Sequence, residues 1–447
     1  MMDPTGVFRV PRTCLPKAGV DLERWAVVAC DQYTSEPDYW QTVAQKVGAA
    51  PSTLHLTFPE VFLGRADAPA RIARIQATMR DYLAQGLLTE REAAVLVERT
   101  VGGHTRRGLM LELDLEQYDF AADSTSLIRP TEGTIVGRLA PRIEVRRGAE
   151  LELPHILVLI DDPLHTVIEP LAAARAAMPP LYRTPLMQGG GEVAGWAVPA
   201  PLMAKASAAL RALGTPEACA ARYGLPATTP PMLFAVGDGN HSLATAKAIW
   251  ESQKSMVGPL HPSRHALVEV ENIHDPALVF EPIHRLLFGV KADVRQALAQ
   301  AFDGRLLCSD VPDANAMRRQ VQAAARASQA CGLVGPGARF AVLQFHDVPS
   351  SLVVGTIQTF IDGLLAQGGA ADVDYVHGDD VLERLGQQDG HIGWHLPVLG
   401  KSELLGRVLR DGPLPRKTFS MGEAHEKRFY MEARRIRRSA SIDAGRR

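Results

Sequence analysis

The sequence has few cysteines, no long apolar run and almost no excess of either charge. Its five cysteines are odd in number and form no C-x-x-C pair, which argues against a disulfide framework and for a reducing compartment. The first residues, MMDPTGVFRVPR, lack the apolar core of a signal peptide, and no run approaches the length of a membrane span. These absences predict a cytoplasmic protein with no membrane partner.

The charge balance argues against a nucleic-acid partner. There are 48 Lys and Arg residues against 50 Asp and Glu, a net charge of -2, so no general basic field would hold a phosphate backbone. Only the tail at 434–447 is locally basic, and we interpret it as a solvated helix with a frayed end. The sequence leaves the oligomeric state open.

Length and pattern predict two domains of mixed α/β (α+β) class. At 447 residues the chain exceeds the size of one ordinary core. Hydrophobic residues at 46% and charged residues at 22% are typical of a globular protein. Helices and strands begin to alternate steadily near residue 290. The predicted domains are therefore 1–290 and 291–447.

Hydrophobic periodicity predicts the individual elements. Before the boundary, strands are expected at 25–30, 109–115, 156–160, 232–236, 266–270 and 277–280, a hairpin at 186–196, and two helices within 72–99 separated at Gly86. The 109–115 strand alternates apolar and acidic residues, which predicts one wet face. Beyond the boundary, helices are expected at 292–302, 314–330, 356–366, 381–387 and 402–409, and strands at 340–345, 373–376 and 391–398.

The most informative segment is GDGNHSLATA, which begins at Gly237. An apolar run ends in this glycine turn and passes directly into an alanine-rich helical pattern. A strand, a turn and a helix N-terminus together present backbone N–H groups to an anion. Asp238, Asn240, His241 and Ser242 crowd this point, whereas a simple helix cap needs one such residue. The segment favours an active or phosphate-binding site, with capping as the alternative.

Two further groups of charged residues are candidates for binding a phosphate: acidic residues that follow predicted strands, and an arginine-rich loop. Asp31, Asp161, Asp162 and Asp238 could converge on a metal-bound phosphate beyond the strand ends, although Asp is also common in turns. A second cluster offers bidentate anion recognition or ordinary surface ion pairing; its members are Arg129, Glu132, Thr134, Arg138 and Arg142.

Histidines late in the chain are weaker candidates. His284 and Arg285 follow an apolar run, where a lone histidine is more often structural. The pair His391 and His395 has helical metal-ligand spacing, but HIGWHLPVL is typical of a strand. Asp379 or Asp380 is most simply the cap of the helix that follows. Cys30 is interpreted as structural because no feature of the sequence lowers the pKa of its thiol.

These motifs together resemble a bacterial family of unknown function, domain of unknown function 1015, built around an Asp-Gly-His-His-Arg motif. GDGNHSLATA matches that central motif, RPTEGT with Arg142 matches a second segment, and FEPIHRLLF matches a third. WAVVACDQYTSEPDYW and LPRKTFSMGEAHEKRFY are similar to the ends of one subgroup. The sequence departs from the family pattern at Thr131, Asn240 and Ser242, where His, His and Arg are usual.

The resemblance implies a ParB/sulfiredoxin-like N-terminal core followed by a C-terminal α/β domain. Related folds bind nucleoside phosphates, and some phosphorylate small molecules such as free serine. Sulfiredoxin chemistry is excluded because Asn240 stands where a cysteine is required, and no basic helix-turn-helix for DNA binding is found.

The predicted function is a nucleotide- or phosphometabolite-binding enzyme that transfers phosphate to a small molecule, with Mg²⁺ and ATP or ADP. His241 or Glu132 is the predicted acid or base. Asp238 is predicted as a catalytic residue that positions the metal or a substrate hydroxyl, and Asp238 with Asp31 are the predicted metal ligands. The predicted phosphate ligands are Gly239, Asn240, Ser242, Arg129, Thr134, Arg142, His284 and Arg285. A non-catalytic nucleotide sensor and a phosphatase of a small metabolite such as phosphoserine remain alternatives.

Overall fold

The computed structural model describes residues 6–437, which form two compact units. The first unit runs to Leu278 and resumes at Gly422, and the second is Val279–Met421. The second unit thus starts before the expected boundary near 290. The segment after Met421, expected in the second domain, belongs to the first unit. The mixed α/β class is confirmed.

The described chain contains strands and helices in close alternation. The strands are β1 (Phe8–Arg9), β2 (Arg12–Pro16), β3 (Leu88–Glu92), β4 (Val95–Val101), β5 (His104–Asp114), β6 (Ile128–Pro130), β7 (Leu151–Glu152), β8 (Leu157–Ile160), β9 (Pro180–Leu186), β10 (Gly191–Ala197), β11 (Phe234–Asp238), β12 (His265–Asn272), β13 (Phe280–Phe288), β14 (Leu306–Val311), β15 (Gln329–Gly335), β16 (Arg339–Phe345), β17 (Asp372–His377), β18 (Ile392–His395), β19 (Phe419–Met421) and β20 (Arg434–Arg435). The α-helices are α1 (Leu22–Trp25), α2 (Pro37–Val47), α3 (Ala68–Ala84), α4 (Leu139–Arg147), α5 (Glu169–Ala173), α6 (Ala200–Leu213), α7 (Pro216–Tyr223), α8 (Asn240–Val257), α9 (Val294–Ala301), α10 (Ala314–Ala324), α11 (Val353–Ala366), α12 (Asp379–Gly386) and α13 (Lys401–Asp411).

The first unit is built on a nine-stranded sheet in the order β6-β11-β8-β12-β5-β4-β10-β9, with β1 also paired to β5. Strand β11 is parallel to β6, so the loops that follow these two strands leave the same edge of the sheet. Strand β8 is antiparallel to β11, with Leu157 opposite Asp238. The beginning of β8 therefore lies at the edge where β11 ends.

Both faces of this sheet are buried. On β5, Leu109, Leu111 and Leu113 pack into one apolar cluster, whereas Met110 packs into another on the opposite face. The acidic residues Glu112 and Asp114, which predicted a wet face, are each 1% exposed. The prediction of a solvated face is wrong because distant arginines pair with these carboxylates and cover them.

The C-terminal segment covers part of the second face as a buried extended chain. Its backbone bonds to the N-terminal region, where Ala433 and Cys14 exchange N–H···O bonds of 2.9 and 2.7 Å. Arg434 pairs with Glu112 at 3.0 Å and with Glu152 at 2.6 Å. The predicted solvated tail is therefore wrong at Arg434, and its last ten residues, 438–447, lie outside the described residues.

Three of the predicted elements that differ from the structure lie at 25–30, within 72–99 and at 314–330. The second helix predicted within 72–99 is instead β3 and β4, because Gly86 at φ +63° ends the helical turn and LTERE pairs with β2. The strand predicted at 25–30 is the end of α1 followed by an isolated bridge at Val28. The helix predicted at 314–330 ends at Ala324, and β15 follows it. In each case tertiary pairing overrode local propensity.

The second unit is a seven-stranded antiparallel sheet in the order β14-β16-β15-β18-β13-β17, with β19 also on β13. Adjacent residues of β13 face opposite sides. Leu287 packs in the cluster that contains residues of α9 and α11, and Leu286 in the cluster with residues of α10 and α12. The strand predicted at 277–280 is in fact this longer strand, so His284 and Arg285 lie in its interior.

All five cysteines are free thiols. Within the described part of the chain, no helix combines the length and the apolar character needed to cross a bilayer.

Replacing Arg434 with alanine should strongly destabilise the first unit. The change removes the fully buried cation that joins Glu112 to Glu152 and leaves them only the more exposed partners Arg9 and Arg146. Breaking a buried pair of this kind costs about 3–5 kcal/mol. Urea denaturation should show this loss in the free energy of unfolding. Arg437→Ala, an exposed arginine of the same segment, is the control and should change it by less than about 0.5 kcal/mol. Equal effects of the two changes would contradict this account.

Candidate functional site

The predicted turn between β11 and α8 is formed around a glycine that no other residue can replace without strain. Gly239 is the N-cap of α8 and has φ +75°. A Cβ atom at this position would lie 2.9 Å from the Cα atom of Ile156. The N-cap residue makes no side-chain capping bond, and the Gly239 N–H donates to Asp238 Oδ1 at 2.8 Å. The capping alternative therefore does not account for the polar cluster.

Asp238 carries a negative charge that a distant lysine neutralises. The ammonium of Lys427 lies 3.1 Å from Asp238 Oδ2. Burial alone would raise the pKa of Asp238, but Lys427 outweighs it and holds the pKa below its ordinary value. Nearby, burial raises the pKa of Glu271 to about 7, against the opposing effect of Arg106 at 2.7 Å. The site therefore contains one carboxylate, Asp238, that Lys427 holds in its ionised form.

Ser242, in the first turn of α8, forms a hydrogen-bonded pair with His155. The Ser242 Oγ atom lies 2.9 Å from His155 Nε2. On the other side of the ring, the Tyr430 hydroxyl lies 2.7 Å from His155 Nδ1. His155 precedes β8, whose antiparallel pairing with β11 places its start beside the start of α8. Two strands and the C-terminal segment thus orient one imidazole toward one hydroxyl.

Asp31 and Cys30 complete the surroundings of this histidine. Asp31 Oδ2 lies 3.6 Å from His155 Nε2, close enough to stabilise a positive charge on the ring. The Cys30 N–H donates to the Tyr430 hydroxyl at 3.0 Å, which fixes the tyrosine. Burial raises the pKa of the Cys30 thiol far above its usual range, so this cysteine is a neutral structural group rather than a nucleophile.

A cavity of about 140 Å³ opens beside the Ser242–His155 pair. Its polar lining includes Glu60 and Arg142, which are paired to each other at 2.5 Å. Most of the lining is apolar and includes Leu56, Phe58, Leu63, Met79, Val145, Leu151, Leu153 and Leu267. Arg142 thus lies at the cavity, as a member of an ion pair.

The remaining predicted residues at this edge are held by the parallel pairing of β6 and β11. Glu132 and Thr134 are half-buried in the loop after β6, and the Thr131 N–H donates to Val236 O at 3.1 Å. His241 is the second residue of α8, beside the half-buried Asn240. The Asn240 Oδ1 atom is buried without a hydrogen-bond partner among the described residues.

Arg129 does not have the predicted role of a phosphate ligand. Its guanidinium donates to three backbone carbonyls, those of Ser126, Pro230 and Pro231, at 2.8 to 3.0 Å. The side chain is 5% exposed. It therefore ties the start of β6 to the segment that leads into β11, and its hydrogen-bonding capacity is used inside the fold.

The predicted convergence of strand-end acids is also incorrect for Asp161 and Asp162. Because β8 is antiparallel to β11, its end lies at the edge of the sheet opposite Asp238. Asp161 there accepts from Tyr223 at 2.6 Å and contacts His274 at 2.6 Å. Asp162 caps the backbone N–H groups of Thr166 and Val167.

His284 and Arg285 belong to the second unit and have structural partners there. The Arg285 guanidinium is fully buried; it donates to Gln358 Oε1 at 3.0 Å and to backbone carbonyls that include Lys417 O at 2.8 Å. It also packs over the Tyr375 ring. The predicted phosphate contact of Arg285 is therefore replaced by a role in the core of the second sheet.

The second unit brings His284, Asp379 and His395 together. Asp379 Oδ1 lies 2.9 Å from His284 Nε2 and 3.1 Å from His395 Nε2, and the two rings stack. Among the described residues, this is the one group of three or more His, Cys, Asp or Glu side chains whose potential ligand atoms lie close enough together to bind a single metal ion. However, the Leu396 N–H donates to His284 Nδ1 at 3.1 Å, so the proton of this ring is at Nε2. A metal-bound histidine normally donates its other ring N–H, and this arrangement is a hydrogen-bonded pair of histidines on one carboxylate.

Sequence reasoning missed His155, Tyr430 and Lys427. His155 stands before a strand that was predicted, and its importance comes from the antiparallel neighbour that no local pattern reveals. Tyr430 and Lys427 belong to the C-terminal segment LPRKTFSMGEAHEKRFY, whose resemblance to a family subgroup implies no role for them. A signal was available in KRFY, which lies before the basic tail at 434–447 and whose two aromatic residues favour packing into a core.

The chain matches one family model and several distant structures. The family is described as "Protein of unknown function (DUF1015)", and its model matches residues 14–364. No curated protein matches the chain. A free serine kinase in complex with AMP is similar at 11% identity over 73% of this chain and 91% of that chain, with a TM-score of 0.37. A conserved hypothetical protein from Pyrococcus furiosus matches at 12% identity over 73% and 95%, with a TM-score of 0.36. SbnI with a C-terminal truncation, from Staphylococcus aureus, matches at 12% identity over 70% and 82%, with a TM-score of 0.35. These likenesses are too distant to carry an argument about ligand or activity.

Replacing Gly239 with alanine should destabilise the turn that builds the site. The positive φ and the contact with Ile156 together should lower the free energy of unfolding by about 1–3 kcal/mol. Thermal and urea denaturation measure this change. Gly137→Ala is the control because open space surrounds that glycine and its φ is not positive. A Gly239→Ala protein as stable as this control would show that the turn is not strained as described.

Replacing Asp379 with asparagine should lower the stability of the second unit by about 1 kcal/mol at pH 7, since its carboxylate is partly exposed. The hydrogen bonds from His284 and His395 hold the pKa of Asp379 well below its usual range, so its ionised form stabilises the folded state. This stabilisation is present above about pH 4 and is lost as the pH falls further. The difference in Tm between wild type and variant should therefore shrink in acid. Asp380→Asn, at an exposed neighbour, should produce no such pH-dependent difference.

Proposed function

We propose, for a chain that belongs to the DUF1015 family of proteins of unknown function, that it is an enzyme acting on a small phosphorylated molecule. The phosphate would bind at the N-terminus of α8, and nucleoside phosphates and phosphate esters of smaller alcohols are both candidate ligands. The proposed reaction is transfer or hydrolysis of that phosphate by the acid and base groups around Ser242 and Asp238.

The observation that carries the proposal is the start of α8. This 18-residue helix begins at a glycine that provides no side-chain cap, so the positive end of its dipole is offered at the sheet edge. Lys427 adds a cation beside it and compensates Asp238. A dianionic phosphate is the kind of ligand that such a helix end binds through backbone N–H groups.

The acid and base roles follow from contacts. His155 is within hydrogen-bond distance of Ser242, and Asp31 and Tyr430 hold the ring in place, so His155 is the group best placed to move a proton. His241 and Glu132, the predicted acid or base, remain candidates at the same edge.

Magnesium fits this site less well than the phosphate does. Asp238, one predicted metal ligand, already pairs with Lys427, and Asp31, the other, faces His155. Mg²⁺ usually binds one or two carboxylates together with substrate phosphates. The proposed function therefore assigns no step to a metal ion, and the experiment below includes Mg²⁺ as a variable.

The test is binding of phosphorylated ligands to the full chain by isothermal titration and thermal shift. The ligands are inorganic phosphate, phosphoserine, AMP, ADP and ATP, each with and without Mg²⁺. AMP and ADP are included because the family resemblance predicts nucleoside phosphates. A ligand at 100 times its Kd should stabilise the protein by about 2.7 kcal/mol.

The decisive variant is Asn240→Asp. It replaces the side-chain amide with a carboxylate of the same size. A negative charge in the first turn stabilises a helix, so the protein should stay folded. A second negative charge at the phosphate should weaken binding at least tenfold, which corresponds to about 1.4 kcal/mol. Asn315→Asp, in the first turn of α10, is the matched control and should bind like wild type. Unchanged affinity in Asn240→Asp, or no binding of any phosphate by wild type, would reject the proposal.

A further inference from the structure

Binding of a phosphate at the start of α8 does not require the hydrogen-bonded pair of Ser242 and His155. A serine whose hydroxyl is 2.9 Å from an imidazole nitrogen, in the first turn of a helix and beside a cavity, has the arrangement of an activated nucleophile. We propose that Ser242 is phosphorylated by the bound substrate and that this substrate is a phosphomonoester with a compact apolar alcohol group. This inference rests on the proposed function and adds to it the covalent route and the substrate class.

The hydrogen-bond pattern permits the base form of His155. To accept the Ser242 proton at Nε2, the ring must carry its own proton at Nδ1. The Tyr430 oxygen can accept this Nδ1–H together with the Cys30 N–H, and the Tyr430 hydroxyl proton has an acceptor in the Cys30 sulfur, with which it is hydrogen-bonded. Every proton in this relay therefore has an acceptor. The Asp31 carboxylate then lies 3.6 Å from the nitrogen that becomes charged.

The position of Ser242 on α8 suits an incoming phosphoryl group. It is the third helical residue, so its hydroxyl lies at the positive end of the helix dipole. Negative charge that develops on the phosphoryl oxygens is stabilised there, as is the phosphoserine that results. A general base of this kind typically contributes a factor of about 10²–10⁴ to the rate.

The cavity decides the substrate class. Its volume of about 140 Å³ is close to that of a cavity known to hold benzene, about 150 Å³. More than half of its lining residues are apolar, and its two arginines, Arg142 and Arg146, are already paired with Glu60 and Glu152. An apolar group the size of a ring fits against the leucine and phenylalanine side chains of this space, whereas the hydroxyls of a polyhydroxylated group would lose water there without gaining partners.

The chemical step balances without a further reactant except water. The Ser242 oxygen forms a bond to phosphorus as its proton passes to His155 Nε2, and the bond from phosphorus to the alcohol oxygen breaks. The imidazolium returns the proton to the departing alcohol. Water then attacks the phosphoserine, gives its proton to His155, and releases phosphate as Ser242 recovers its hydroxyl proton.

The experiment mixes the full chain with phenyl phosphate or p-nitrophenyl phosphate, quenches in acid and measures the intact mass and the tryptic peptides. Wild type should gain one phosphoryl group on Ser242, and Ser242→Ala should gain none. His155→Gln should form the adduct about 10²–10⁴ times more slowly. Ser252→Ala, an exposed serine later in the same helix, is the control and should behave as wild type. Glycerol 2-phosphate, the polar counterpart, should react at least tenfold more slowly.

The two proposals can fail separately because binding is measured alongside the adduct. If phenyl phosphate binds to wild type and to Ser242→Ala but no phosphoserine forms, the covalent route is overturned and the phosphate site stands. If phenyl acetate acylates Ser242 whereas the phosphate esters do not phosphorylate it, the substrate class is wrong. If no phosphate ester binds at all, both proposals fail.

Discussion

The first unit depends on the buried ion pairs that hold the C-terminal segment against the central sheet. Arg434 meets Glu112 and Glu152, and Arg428 meets Glu269, on the face of the sheet that the sequence alone predicts to be wet. Charges out of water are costly unless they are matched in number and geometry, so each arginine fixes its own position along the segment. The pairing is a constraint on register as much as a source of stability. A shift of the segment by one residue would turn each of these side chains away from its partner.

The candidate site is a consequence of that register. Lys427 and Tyr430 lie within two residues of Arg428 in the same segment, and they reach Asp238 and His155 respectively. The opposite wall comes from the sheet, where an antiparallel neighbour places the residue before β8 beside the helix that follows β11. Three stretches far apart in sequence therefore meet at one helix N-terminus. Local unfolding of the C-terminal segment would remove both the cation and the phenol from the site.

The second unit uses its histidines differently. His284 and His395 share the carboxylate of Asp379, and the Leu396 amide sets the tautomer of His284. The distances resemble those of a metal centre, but the backbone donor places a proton where a metal would need a lone pair. Buried Arg285 beside it satisfies backbone carbonyls in the same way that Arg129 does in the first unit. Charged side chains inside a fold often complete the hydrogen bonding of its backbone, and motif residues are no exception.

The sequence by itself determined the mixed α/β class, most of the strands and helices with strong periodicity, and the turn at Asp238 and Gly239. These features are local: an apolar run, two glycines and an alanine-rich helix specify them over about twenty residues. Tertiary structure decided which side chains surround that turn. The sequence predicted Arg129 and Asp161 there. Arg129 instead donates hydrogen bonds to backbone carbonyls, and Asp161 lies at the opposite edge because its strand is antiparallel to β11. It did not predict His155, Tyr430 or Lys427, because strand order and the path of a distant segment bring them in. The periodicity of a strand encodes its faces but carries no information about its neighbour.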